Sequence, residues 1–198
     1  MAASPLMTDE IAEIEREIDV LRKRLTDARR RVPREPVADF VFESVDGPVR
    51  LSELFGDNEE LLVIHNMGRS CPYCTLWADG LNGVVDHLGS RAAFAVATPD
   101  DPATQQAFAA ERGWGFRMVS CGNNDFARDL GFEPEPERYW PGVSAFHRSE
   151  DGVITRTGCA TFGPGDPFCS VWHLFDLLVD GAQGWTPRFQ YGESARRG

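Results

Sequence analysis

Leu61-Leu62-Val63-Ile64 is a short, unbroken apolar run bounded on its N-terminal side by the polar group Asp57 to Glu60, and Ala92 to Ala97 is a second such run. Between them a helix is expected from Pro72, because Leu76, Trp77, Leu81, Val84, Val85 and Leu88 recur on one broad face. Runs apolar on both faces suit strands covered by helices on each side, and two of them joined through a helix pair in parallel. The chain is thereby confined to layered α/β architectures before any other residue is considered.

The remaining pattern extends that unit. Pro102 to Arg112 reads as a helix closed by Gly113, Phe116 to Val119 as a third strand, and Asn124 to Leu130 as a short helix ended by Gly131. Val143 to Phe146 and Val153 to Thr157 flank Asp151-Gly152 and read as a hairpin, followed by a last helix from about Pro167 to Val179. Upstream, Val37 to Leu51 turns at Asp46-Gly47, and Ser52 to Phe55 forms one helical turn stopped by Gly56. The order predicts a mixed central sheet with parallel βαβ units and an antiparallel edge.

Residues 8–32 are different. Ile11, Ile14, Ile18, Leu21, Leu25, Ala28 and Val32 alternate in steps of three and four, with charges between them. Thr8 stands at the N-cap, Asp9 and Glu10 suit the positive end, Arg29 to Arg31 the negative end, and Pro33 and Pro36 stop the helix. Such a seam either lies on the chain's own domain or pairs with a second subunit, in which case Ile11, Ile14, Ile18, Leu21 and Leu25 form a homodimer contact. The expected organisation is an N-terminal helix over residues 1–35, one α/β domain over 36–180 and an irregular tail over 181–198.

The charge balance narrows the partners. The formal net charge is −11, and because residues 1–35 are balanced, the rest of the chain holds 23 of the 31 acidic and 12 of the 20 basic residues. An acidic domain repels phosphate backbones and anionic lipid headgroups, so neither nucleic acid nor membrane is an expected partner. Met1 to Glu10 lacks the basic-then-apolar order of a signal peptide, and a cytoplasmic address is expected. Five cysteines are too few for a disulfide-scaffolded secreted domain.

Two of those cysteines, Cys71 and Cys74, are two residues apart at the start of the helix that follows the first buried strand. The first sulfur at the N-cap meets unpaired N–H groups that favour thiolate, and the second, one turn inward, is close enough to resolve a disulfide. Cys71 is expected to be the exposed, attacking thiol and Cys74 the buried one. Pro72 stiffens the turn, and Arg69 adds a neighbouring positive charge. Two buried cysteines can also merely pack. Cys169 and His173, one helical turn apart, could complete a zinc site with the pair, while Cys121 and Cys159 have no partner close in sequence and could approach Cys169 in space.

Cys71-Pro72-Tyr73-Cys74 is the tetrapeptide of glutaredoxin active sites, and Ala38-Asp39-Phe40 with Leu51-Ser52-Glu53-Leu54 resembles the opening of redoxin and peroxiredoxin-like proteins. His65-Asn66-Met67-Gly68, Trp77-Ala78-Asp79-Gly80, Asn82-Gly83 and Pro141-Gly142-Val143-Ser144 resemble more closely a bacterial thioredoxin-like family of unassigned function. The resemblance implies a thioredoxin-like three-layer sandwich with a central mixed β-sheet, Cys71 as nucleophile and Cys74 as resolving thiol. The helix-start placement of Cys71 and Cys74 with Pro72 and Arg69 makes a thiol–disulfide oxidoreductase acting on a protein or small disulfide the leading expectation, with no cofactor or resident metal expected. The alternatives are a non-enzymatic redox sensor or interaction module and, less favoured, a zinc-binding module. Thioredoxins and glutaredoxins carry a cis-proline facing the thiols, where this chain has Val143 or Ser144, so Ser144 joins Arg69 and Pro72 as an expected supporting residue. Peroxiredoxins carry a threonine three residues before the reactive cysteine; Gly68 stands there, and peroxidase activity is not expected.

Overall fold

The computed structural model describes residue 6 and residues 8–192; residues 193–198 of the expected irregular tail, like the first five residues, lie outside the described ones. The chain opens with α1 (Asp9–Arg31), whose N-cap Thr8 accepts the Ile11 N–H. No α1 residue is buried, so the other described residues do not cover its apolar seam. Its end leads into β1 (Glu35–Pro36), which pairs antiparallel with the edge of the main sheet, a position where proline's missing N–H does no harm.

A small hairpin follows, β2 (Val41–Phe42) and β3 (Val49–Arg50), and then α2 (Leu51–Leu54). The Asp39 carboxylate accepts both the N–H and the hydroxyl of Ser52, fixing the start of that turn. The parallel part of the sheet comes next: β4 (Glu60–His65), α3 (Pro72–Asn82), α4 (Val85–Gly89), β5 (Ala93–Thr98), α5 (Pro102–Arg112) and β6 (Arg117–Ser120). After α6 (Phe126–Asp129), the hairpin of β7 (Gly142–Arg148) and β8 (Ile154–Thr161) adds antiparallel to β4. The six-stranded order is β1-β8-β7-β4-β5-β6, and α7 (Ser170–Phe175) closes the regular structure.

Strand alternation divides the core. Leu61, Val63, Ala95, Ala97 and Val119 face one way and pack with Leu51, Leu54, Phe126 and Phe132; Ile64, Val96 and Met118 face the other and pack with Trp77, Ala78 and Trp172. Helices therefore cover both faces, giving the expected three layers with a mixed sheet. Among the described residues, no helix is long and apolar enough to cross a membrane.

Two expected helices are shorter than their apolar patterns. The helix from Pro72 stops at Asn82, and Val84 to Leu88 belong to the separate α4 and the residue before it. Asn82 turns its side chain to the 113–115 loop, donating to the Gly113 carbonyl and accepting the Gly115 N–H, and the glycines at 80 and 83 weaken the helix there. The last helix covers only Ser170–Phe175, not Pro167 to Val179. The Asp166 carboxylate accepts from the N–H groups of Gly163 and Phe168 and from the Trp77 indole, which holds the approach as a loop. Leu177, Leu178 and Val179 are exposed.

Candidate active site: the thiol pair at the start of α3

Cys71 is the N-cap of α3, with extended φ and ψ of −98° and 107°, and Pro72 occupies the first turn. Its Sγ accepts the Cys74 N–H at 3.1 Å, and its carbonyl accepts the N–H and hydroxyl of Thr75 at 3.1 and 3.0 Å. The Met67 N–H points at Cys74 Sγ, 3.4 Å away. Cys71 Sγ thus takes a backbone donor that the helix start leaves without a carbonyl partner, while the donor facing Cys74 Sγ comes from the connector.

The connector from β4 is fixed as tightly as the helix. Asn66 Oδ1 accepts the Gly68 N–H at 2.8 Å, the Gly68 carbonyl accepts the Cys71 N–H at 3.2 Å, and Asp100 Oδ2 accepts the Arg69 N–H at 2.7 Å. Asp100 follows β5, so one carboxylate binds the ends of two neighbouring parallel strands together. Gly68 has φ +98°, and a Cβ there would lie 2.9 Å from Asp100 Oδ2, so both conformation and space demand glycine.

The two thiols are electrostatically unequal. Donation from the Cys74 S–H lowers the Cys71 pKa to about 7; burial opposes this, and the N–H groups of Cys74 and Tyr73 assist it. The Cys74 pKa is raised, first because its proton is held by Cys71, then by burial and by the charge on Cys71. One proton is shared by two sulfurs, and the anion belongs on Cys71. Burial raises the Cys121 thiol to about 12 and also raises Cys169.

Several expectations change here. Cys71 is more accessible than Cys74, but at 8% against 2% both are covered, because the connector and α3 close around the sulfurs. Arg69 is exposed and meets the site through its backbone N–H; the groups that favour the Cys71 anion are Cys74 and the helix-start N–H groups. Pro72 is where the sequence places it. Ser144 is fully buried and its hydroxyl is 2.9 Å from His65 Nε2, on the face opposite Ile64 and Trp77, so its partner is a histidine rather than a thiol. Cys121 and Cys169 lie in the two separate core clusters and do not approach each other, and Cys159 is exposed. Among the described residues, no three His, Cys, Asp or Glu side chains converge as metal ligands, so Cys169 and His173 do not join the thiol pair.

Asp100 and the His65–Ser144 pair escape a reading of local motifs. Their common signal is topological: His65 and Asp100 lie at or just past the C-terminal ends of parallel strands, where α/β sheets gather functional groups. His65 stacks on Phe132 with ring centroids 3.7 Å apart, and on Phe126 at 5.1 Å. Burial, aided by the Arg156 charge, lowers its pKa to about 3. The unfolded chain takes up a proton near pH 6.5 that folded His65 refuses, so its contribution is complete above pH 6.5 and is lost as pH falls from there towards 3. Denaturant titrations should show about 2 kcal/mol less stability at pH 5 than at pH 7, before most carboxylates titrate, and His65→Gln should flatten that slope. An unchanged slope in the variant would remove His65 as its source.

The solved structures that this chain resembles share its fold. A peroxidoxin BcpB from Mycobacterium tuberculosis is 22% identical with a TM-score of 0.50, covering 61% of this chain and 80% of its own. A reduced Prx3 from Vibrio vulnificus, in complex with hydrogen peroxide, is 16% identical with a TM-score of 0.52, covering 67% and 88%. PrxQ from Xylella fastidiosa is 13% identical with a TM-score of 0.51, covering 65% and 84%. These likenesses identify the architecture as thioredoxin-like. No curated protein matches the chain. A family model does, over residues 5–193, and by that match the chain belongs to the bacterial protein family of unknown function DUF899.

Proposed function

We propose that this protein is a thiol–disulfide oxidoreductase working through Cys71 and Cys74. The observation that carries the reading is geometric: Cys71 Sγ stands at the N-cap of α3 and accepts the Cys74 N–H at 3.1 Å, with Cys74 one turn inward, an arrangement that lowers the Cys71 pKa to about 7. The thioredoxin-like frame, common to redox proteins, supports it.

In the forward direction the Cys71 thiolate attacks one sulfur of a substrate disulfide, forming a mixed disulfide and expelling the other substrate sulfur as a thiolate that takes a proton from solvent. Cys74 then attacks Cys71 Sγ, its proton passing to the departing substrate sulfur. The substrate bond to Cys71 breaks, the second substrate thiol leaves, and a Cys71–Cys74 disulfide remains. The substrate gains two electrons and the protein loses two. Burial of both sulfurs favours a small disulfide or an exposed, extended chain segment as the reacting group.

The rate of iodoacetamide alkylation against pH tests the nucleophile. In the reduced protein the fast-reacting thiol should map to Cys71 and reach half its maximal rate near pH 7, rising with pH because only the thiolate reacts. A midpoint at the 8.5 to 9 of an ordinary thiol, or fast labelling at Cys74, would refute the proposal.

A further inference from the structure

Helix α1 carries an apolar seam that the other described residues leave uncovered: Ile18 is 40% exposed, Ile14 49% and Leu21 56%. Its charges are split by position. From Asp9 to Asp19 there are six acidic residues and one basic, and from Arg22 to Arg31 six basic and one acidic. We infer that α1 is a dimerisation element that pairs antiparallel with α1 of a second copy of this chain, centred between Ile18 and Leu21.

The seam fits itself when reversed. With Ile18 opposite the partner's Leu21, Ile14 falls opposite the partner's Leu25 and Ile11 opposite the partner's Ala28, so an apolar layer forms at every step. The residues flanking the seam choose the orientation. Antiparallel packing sets Glu10 against the partner's Arg31, Glu17 against the partner's Arg24, and Glu15 against the partner's Arg22, all of opposite sign. Parallel packing sets Glu10 against the partner's Glu15 and Arg24 against the partner's Arg29; only Glu17 against the partner's Arg22 is then favourable. The antiparallel arrangement also lays each helix's negative half along the other's positive half. A helix of 23 residues gives a short coiled coil and hence a reversible dimer.

Sedimentation equilibrium of the full chain at tens of micromolar tests the surface and its direction. The wild type should be dimeric, and Ile18→Asp monomeric with the near-ultraviolet spectrum of the α/β domain unchanged, since α1 carries no core contact. R24E should weaken the dimer roughly tenfold, by setting like charges together at two symmetric places, and E17R/R24E should restore it to within about twofold. A monomeric wild type, or a dimer that Ile18→Asp leaves intact, overturns the inference. So does tightening by R24E, which a parallel pair requires because that change removes its Arg24–Arg29 repulsion.

Discussion

Cys74→Ser should hold a small disulfide as a stable mixed disulfide, while Cys71→Ser should form essentially none. At neutral pH Cys71 is about half thiolate, and the serine hydroxyl at position 74 can still donate to it as the Cys74 thiol does. In the other variant Cys71 no longer holds the Cys74 proton, but burial still raises the surviving thiol above the ordinary range, so its thiolate fraction at neutral pH stays below about 1%. Adduct yields should therefore differ by roughly a hundredfold, read by intact mass after incubation of each reduced variant with a small disulfide. Equal yields would mean that the helix start does not distinguish the sulfurs, and the assignment of attacker and resolver would be withdrawn.

Gly142→Ala should cost about 3 kcal/mol or more. A Cβ at Gly142 would stand 2.3 Å from Phe132 Cε1 and 2.4 Å from the Ala160 carbonyl oxygen. The carbonyl belongs to β8, locked in register with β7, and Phe132 is pressed against His65, so neither neighbour yields without loosening the sheet or the ring stack. For a chain of this size that corresponds to a melting point lower by roughly 6–12 °C. Gly158→Ala is the control, because the same pair of strands leaves open space there and the change should stay within about 0.5 kcal/mol. A similar loss in both variants would trace the effect to strand backbone rather than to the contact at Phe132.

What the sequence disclosed depended on how far apart the interacting groups lie. Leu61 to Ile64, the Cys71-Pro72 helix start and the Pro102 helix with its closing Gly113 were all legible, because periodicity, capping and turn chemistry act over a few residues. The thiol pair was legible for the same reason. Ser144 was placed near the thiols by resemblance, yet its hydroxyl meets His65, 79 positions away, and no local rule reveals such a pairing. Asp100 reaches Arg69 across 31 positions and was equally hidden. The last helix misled in the opposite way: expected from about Pro167 to Val179, it covers only Ser170–Phe175, because Asp166 holds the approach as a loop, and Leu174, Leu177, Leu178 and Val179 remain exposed.

The single proton between Cys71 and Cys74 separates the bookkeeping of electrons from that of protons. Below about pH 7 the reduced pair carries two protons, and closing the disulfide releases both along with two electrons. Above it the pair has already given one to solvent, and the second stays bound because Cys74 holds it far more strongly. Each proton released shifts a two-electron couple by about 30 mV per pH unit, so on the alkaline side its potential should fall about half as steeply as on the acid side. If the pair works as proposed, its reducing power over the neutral-to-alkaline range should be partly decoupled from pH.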